Sequence, residues 1–277
     1  MISINTNYGG LYAANASRSS QALVDQAMER LSTGKRINYA KDDAAGQAIA
    51  VRLTAEIQGL AMAARNAADG QSLLDTAEGA LQETTSLLLR MRELAVQSSN
   101  GTLATADRTA LQAEAEALEL EITRIGETTT WGGQNLLDGT FSDANAIVFQ
   151  AGASSGETIT VSITEMTISG LAIAMSAGVS IGTFADAQNA ITEIDAALSG
   201  VNEVRGKMGA ASNRLDSTIG NLNQIRVNLM ASKGRIMDTD FAAETGNLAK
   251  GQILQQAATA MLAQANASKQ SVLVLLQ

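Results

Sequence analysis

The sequence predicts a mainly α-helical protein: a long antiparallel helical rod of coiled-coil character with a small β-hairpin region at its tip. Three observations lead there. The 277 residues include no proline, where average usage of about 5% supplies on the order of 14 in a chain this long. Two long segments carry an apolar residue at every seventh position. Between them lies a stretch with the alternation and glycine-rich turns of short strands.

The first long segment, 44–98, is dominated by Ala, Leu, Gln, Glu and Arg, all good helix formers. Its step-of-seven series is Leu53, Leu60, Ala67, Leu74, Leu81, Leu88 and Ala95. A companion series, Ile49, Ala63, Gly70, Ala77 and Met91, is interrupted by Glu56 and Thr84. A seam sustained this long marks a helix packed lengthwise against another helix. At 1.5 Å per residue such a helix extends over roughly 80 Å, far more than a compact domain of this chain length is wide.

The second segment, about 184–234, repeats the pattern with Ala187, Ile194, Val201, Met208, Leu215, Leu222 and Leu229. The two seams pair antiparallel if the chain turns back between them, and it does. Ser98-Ser99-Asn100-Gly101-Thr102 is a strong helix stop. A further helix follows over 105–127, with Thr105 as N-cap and Leu111, Leu118 and Ile122 or Ile125 on one face. Turn signals then appear at Trp131–Asn135 and Leu137-Asp138-Gly139. NAIVF at 145–149 and ETITVSI at 157–163 read as strands joined by AGASSG at 151–156, and Ser176–Thr183 reads as loop. The expected organisation is a rod domain, 44–236, with a β/loop tip at 128–183, flanked by terminal segments 1–43 and 237–277.

The ends are helical by pattern but nearly uncharged. Arg18 is the only charged side chain before Asp25, and only Lys250 and Lys269 follow Glu244. Apolar stripes run through Leu23, Ala27 and Leu31, and through Ile253, Ala257 and Met261. A helix with a broad apolar and amide surface suits a place buried between subunits, so both ends are expected to order on assembly. Leu254, Leu262, Leu273 and Leu276 join the expected assembly contacts.

Composition removes whole classes of chemistry. No Cys means no disulfide, thiolate nucleophile or iron–sulfur site, and no His means no Ser–His triad and no usual zinc site. The net charge of −9 argues against nucleic acid or an anionic membrane as main partner. That charge is local. Residues 126–204 hold nine acids and no base, which leaves 19 acids against 19 bases elsewhere. No apolar run approaches a membrane span, so no membrane insertion is expected, and no secretory leader is legible, so export would use a route that reads none.

The remaining motifs have plain readings. Gly200–Met208 resembles a phosphate-binding loop, but it has one residue too many between its glycines and lies mid-helix. Asp42-Asp43, like Asp238 and Asp240, stands where a helix N-cap belongs. Asn15-Ala-Ser17, Asn100-Gly-Thr102 and Asn266-Ala-Ser268 fit a glycosylation triplet that arises often by chance. No catalytic, cofactor-binding or metal-ligating constellation is present, and no cofactor is expected.

Several long motifs in order carry a family resemblance. INTN at 4–7, LSTGKRINYAKDDAAGQAIA at 31–50 and RMRELAVQSSNGT at 90–102 are similar to the N-terminal signature of bacterial flagellins. NRLDSTIGNLN at 213–223, GRIMDTDFAAETGNLAKGQILQQAATAMLAQAN at 234–266 and the closing VLVLLQ resemble the C-terminal one. The resemblance implies a self-assembling filament subunit whose terminal helices form an inner layer around a central channel, with the paired long helices outside it. Large outer domains look absent, because little chain separates Glu127 from Phe184. The acidic segment would then face water.

The resemblance further implies unfolded export by the flagellar type III route, an export chaperone, and flagellar cap and hook-associated proteins as partners. It also implies a flagellin-sensing Toll-like receptor in animal hosts, met by Arg90, Leu94 and Glu114. Residue 89 is Leu, where well-recognised members commonly carry a polar side chain. Two other readings stand beside this one. A hook–filament junction protein shares the terminal helices. A surface adhesin or glycan-binding homologue would use the acidic tip, where Trp131, Phe141 and Phe149 are the few aromatics.

Overall fold

The computed structural model describes residues 6–142, 145–168 and 179–274. Its elements are α1 (Tyr8–Thr33), α2 (Ala44–Ser98), α3 (Thr105–Thr128), β1 (Thr130–Trp131), β2 (Gln134–Asn135), β3 (Ile147–Gln150), β4 (Thr158–Val161), α4 (Phe184–Met237) and α5 (Phe241–Val274). The chain divides into two compact units, Gln58–Arg226, and Met1–Ile57 with Val227–Gln277. Helices α2 and α4 contribute residues to both.

The helix ends follow from local chemistry. Asp43 Oδ1 accepts the Gly46 N–H at 2.9 Å and starts α2. Asp42 Oδ2 accepts the N–H groups of Asn38 and Tyr39, and the bond from Tyr39 above all holds its carboxyl below the ordinary range. Asp240 does the same work for α5, accepting from Ala242 at 2.9 Å and Ala243 at 3.3 Å. At the end of α2, Arg108 reaches over from α3 to the carbonyls of Ser98 and Asn100, each at 2.9 Å, where a cation suits the helix dipole. The start of α3 differs from expectation. Thr105 is its first helical residue and Ala104 the cap, because Asp107 reaches back to accept the Ala104 N–H at 3.2 Å.

Within Gln58–Arg226, polar contacts fix how the helices run. Arg92 meets Asp195 at 2.7 Å, Glu78 meets Arg205 at 2.7 Å and Gln71 meets Asp216 at 3.3 Å, so α2 and α4 are antiparallel. Arg90 of α2 likewise meets Glu114 of α3 at 2.7 Å. The seams point inward: Leu60, Ala67, Leu74, Leu81, Leu88 and Ala95 are buried, as are Ala187, Ile194, Val201, Met208, Leu215 and Leu222. Ala115 and Ile122 complete the core from α3. The segment resembling a phosphate loop is continuous helix, with Arg205 on Glu78 and Lys207 on Glu203.

Among its described residues, the β region holds two small antiparallel sheets. The turn signal at 131–135 is a hairpin, β1–β2, with Gly132 and Gly133 at φ 60° and 84°, the backbone a two-residue hairpin turn requires. In β3–β4, Phe149 stands opposite Ile159, and both are buried. The Phe149 ring lies against Gly70, where an added Cβ would sit 3.1 Å from it, and Asn66 donates to the Gln150 carbonyl at 3.3 Å. The hairpin therefore lies along the flank of α2, not past the helix ends where the tip was expected.

From there the chain returns beside α3. Gln112 donates to the Val179 carbonyl at 2.9 Å and accepts from Ile181 N–H at 2.6 Å. Ile163, Met166, Val179 and Ile181 are buried along this path. Of the loop expected over 176–183, residues 179–183 are described and have no regular structure; residues 176–178 lie outside the described ones.

The Arg92–Asp195 pair gives a pH prediction. The Arg92 guanidinium holds the Asp195 carboxyl below its ordinary range. The stability this pair adds is present above the unfolded value of about 3.9 and is lost as pH falls through the lower folded value. In a carboxyl NMR titration, Arg92→Gln should move the Asp195 midpoint upward. An unchanged midpoint would show that the pair does not form.

Candidate assembly surface

Helices α1 and α5 form an antiparallel pair within the unit Met1–Ile57 with Val227–Gln277. Asn7 bonds Asn266 at 3.3 Å, Gln255 donates to Gln21, and Arg30 faces Glu244 at 3.7 Å. Asn7 also accepts the Gly10 N–H at 3.1 Å and so caps α1.

The seam of this pair is built mostly from small residues. On α1 the buried positions are Gly10, Ala13, Ser20, Val24 and Ala27. On α5 they are Glu244, Gly251 and Ala258, again seven apart. A Cβ on Gly251 would sit 2.8 Å from Val24 Cγ2 and 3.4 Å from the Val24 backbone nitrogen, so glycine is what admits this approach. The large apolar side chains face the other way. Tyr12 is 81% exposed, Ile253 67% and Met261 63%, and Tyr8, Leu11, Leu23, Met28, Leu254 and Phe241 are exposed as well.

An open apolar groove of about 450 Å³ runs between the helices, with Tyr12, Ala16, Leu254, Ala257 and Met261 among its walls. Among the described residues, no cluster of three or more acids is placed to hold a metal ion, and no helix is long and apolar enough to cross a membrane.

The connectors at the other end of the pair meet each other. Arg36 N–H donates to the Met237 carbonyl at 2.6 Å and Thr239 N–H to the Gly34 carbonyl at 3.0 Å, so that Lys35 and Asp238 stand opposite each other in an antiparallel backbone β-bridge. The Arg36 side chain adds a bond to the Ile236 carbonyl at 2.8 Å. Gly34 ends α1 at φ 70°, a left-handed cap that favours glycine. Segments 31–43 and 234–244, which carry the longest sequence motifs, thus form one joint.

The expected site residues separate by burial. Leu23, Ile253, Leu254, Ala257 and Met261 are exposed in the single chain, and Leu31 and Leu262 are half-buried. Ala27 is buried within the single chain, on the face of α1 that also carries Ala13, Ser20 and Val24. Leu276 lies outside the described residues, and so does the side chain of Leu273. Arg90 and Glu114 are brought together on the surface. Leu94 is not with them: it is 1% exposed, inside the three-helix core, and offers no surface to a partner. Tyr8, Leu11, Tyr12, Met28 and Phe241 belong to the exposed face but were not expected there. Three of these are among the chain's few aromatics, and their place on nearly uncharged helices was the available signal.

The model of the bacterial flagellin N-terminal helical region matches residues 4–142, and that of the C-terminal helical region matches 191–276. The chain belongs to the bacterial flagellin family. It is 47% identical to a flagellin of Halalkalibacterium halodurans, over 96% of this chain and 98% of that one. It is 36% identical to flagellin A of Vibrio cholerae over the whole of both chains, in an alignment of 380 positions, so that relative carries length this chain lacks. The crystal structure of Bacillus cereus flagellin matches 57% of this chain and 88% of its own, at 33% identity and a TM-score of 0.50. The chain is thus a structural subunit of a flagellar filament, and flagellins polymerise with themselves.

The small-residue seam of this flagellin is open to direct test. Gly251→Val forces α1 from α5 and should cost about 1–3 kcal/mol through overpacking. Gly246→Ala meets no atom within 4 Å and should stabilise by up to about 1 kcal/mol through helix propensity. Urea unfolding of the monomer followed by helical circular dichroism distinguishes them. Equal effects would mean that the seam is not closely packed.

Proposed function

We propose that the exposed apolar face of α1 and α5 is the surface through which copies of this flagellin pack in the filament. Leu23, Leu31, Ile253, Leu254, Ala257, Met261 and Leu262 make the contacts, joined by Tyr8, Leu11, Tyr12, Met28 and Phe241. Leu273 and Leu276 are assigned to the same contacts from the apolar pattern of the sequence alone. The observation that carries the reading is the inversion at α5: Gly251 and Ala258 are buried in the chain's own pair while Ile253 and Met261 stand in water. A pair with this arrangement has its apolar surface left over for other subunits.

On this reading, 1–43 with 237–277 form the inner core of the filament and 44–236 the layer outside it. The filament is extracellular, serves motility, and does no covalent chemistry. The chain leaves the cell unfolded through the flagellar type III route, guarded by an export chaperone that covers the apolar terminal helices. It assembles between hook-associated proteins and a cap. Recognition by a host Toll-like receptor rests on the Arg90–Glu114 surface, with exposed Leu89 beside it and without Leu94.

Ile253→Glu and Met261→Glu test the packing surface. Both side chains are exposed in the single chain, so monomer stability should change by no more than about 0.5 kcal/mol. Polymerisation followed by sedimentation and electron microscopy should fail, because a carboxylate would be buried without a partner. Normal filaments from both variants would overturn the assignment.

A further inference from the structure

We propose that Asn100 is a site of spontaneous, backbone-assisted deamidation in the folded protein, and that Arg108 directs the product toward isoaspartate. Asn100-Gly101 is the only Asn-Gly pair in the sequence, and both residues are exposed in the turn between α2 and α3. Gly101 has no side chain to keep its peptide nitrogen from the Asn100 amide carbon. The turn is also roomy: a Cβ on Gly101 would meet no atom within 4 Å.

Two hydrogen bonds prepare the reaction. Thr102 N–H donates to Asn100 Oδ1 at 3.1 Å. The same donor faces the oxygen that becomes negative when the Gly101 nitrogen adds to Cγ, so it stabilises that oxyanion. Arg108 Nη2 donates to the Asn100 main-chain carbonyl at 2.9 Å, which becomes the second carbonyl of the five-membered imide.

The steps balance. The Gly101 nitrogen forms a bond to Cγ, the Cγ–Nδ2 bond breaks, and the Gly101 proton leaves with the amide as ammonia. Water then opens the imide at one of two carbonyls. Attack at Cγ yields aspartate with the original backbone. Attack at the former main-chain carbonyl yields isoaspartate, with the chain now running through Cγ and a free α-carboxylate. Arg108 polarises that second carbonyl for attack. It also holds the resulting carboxylate in a charge-assisted bond.

The experiment incubates the full chain at mildly alkaline pH and physiological temperature, in buffer and in urea. Peptide mass spectrometry follows each asparagine, and isoaspartyl methyltransferase with S-adenosylmethionine reports isoaspartate. Asn100 should convert faster than every other asparagine in the folded chain. Gly101→Ala, which has room for its methyl, should slow it by about tenfold or more because the added Cβ hinders the approach. Arg108→Gln should raise the share of aspartate. Retention of the Asn100 amide in buffer alongside its loss in urea would overturn the proposal, as would an unchanged rate in Gly101→Ala. An unchanged product ratio in Arg108→Gln would overturn the directing role.

Discussion

A helix pair that spends its small residues on its own seam leaves its large ones without a place. That constraint governs α1 and α5. Gly251 against Val24, with Ala13, Ser20, Ala27 and Ala258 along the same contact, lets two backbones approach closely but removes little apolar area per residue. Tyr12, Ile253 and Met261 remain in water. Burying one large apolar side chain is worth roughly 1.5–3 kcal/mol, whereas association costs roughly 4–15 kcal/mol in lost freedom. A single exposed residue does not decide that contest. A continuous face of many such residues on each subunit does, which is why polymerisation suits this surface and a pairwise encounter suits it poorly.

The unit Gln58–Arg226 follows the opposite rule. There the seventh-position residues are large and buried, from Leu74, Leu81 and Leu88 on α2 to Ile194, Met208 and Leu215 on α4. Its charged side chains stay on the surface, as at Arg90 with Glu114 and Arg92 with Asp195. Such pairs contribute little stability but fix helix direction and register. One chain thus contains a core that closes on itself and a helix pair that leaves its apolar face open, and the difference lies in residue size at the seam.

Much of this was legible in sequence where a period ran long enough to read. The span of α2 and the inward turn of Leu60 through Ala95 follow from a seven-residue repeat. The caps at Asp43 and Asp240 follow from residue type and place. Leu94, which only the family resemblance singled out, is buried because α2 packs against α3 as well as α4, so its buried stripe is wider than one seam. Ala27 was grouped with larger neighbours although it lies on the buried face of α1 within the single chain. Strands of two residues such as β1 and β2 have no period to detect. Val179 and Ile181 are lone apolar residues among Ser and Gly, and only their contacts with Gln112 reveal them as core. The flank position of β3–β4 depends on Phe149 resting on Gly70, a fit between residues distant in sequence.

On the proposed assembly, the outer face of α1 and α5 is covered by other copies of the chain. Amide hydrogen exchange, measured residue by residue on dilute monomer and on filament, tests it most directly. Protection within Tyr8–Thr33 and Phe241–Val274 should be lower than that of the core in the monomer and rise sharply on polymerisation, while the core around Leu81 and Ile194 changes little. Equal protection of the terminal helices in both states would contradict the account.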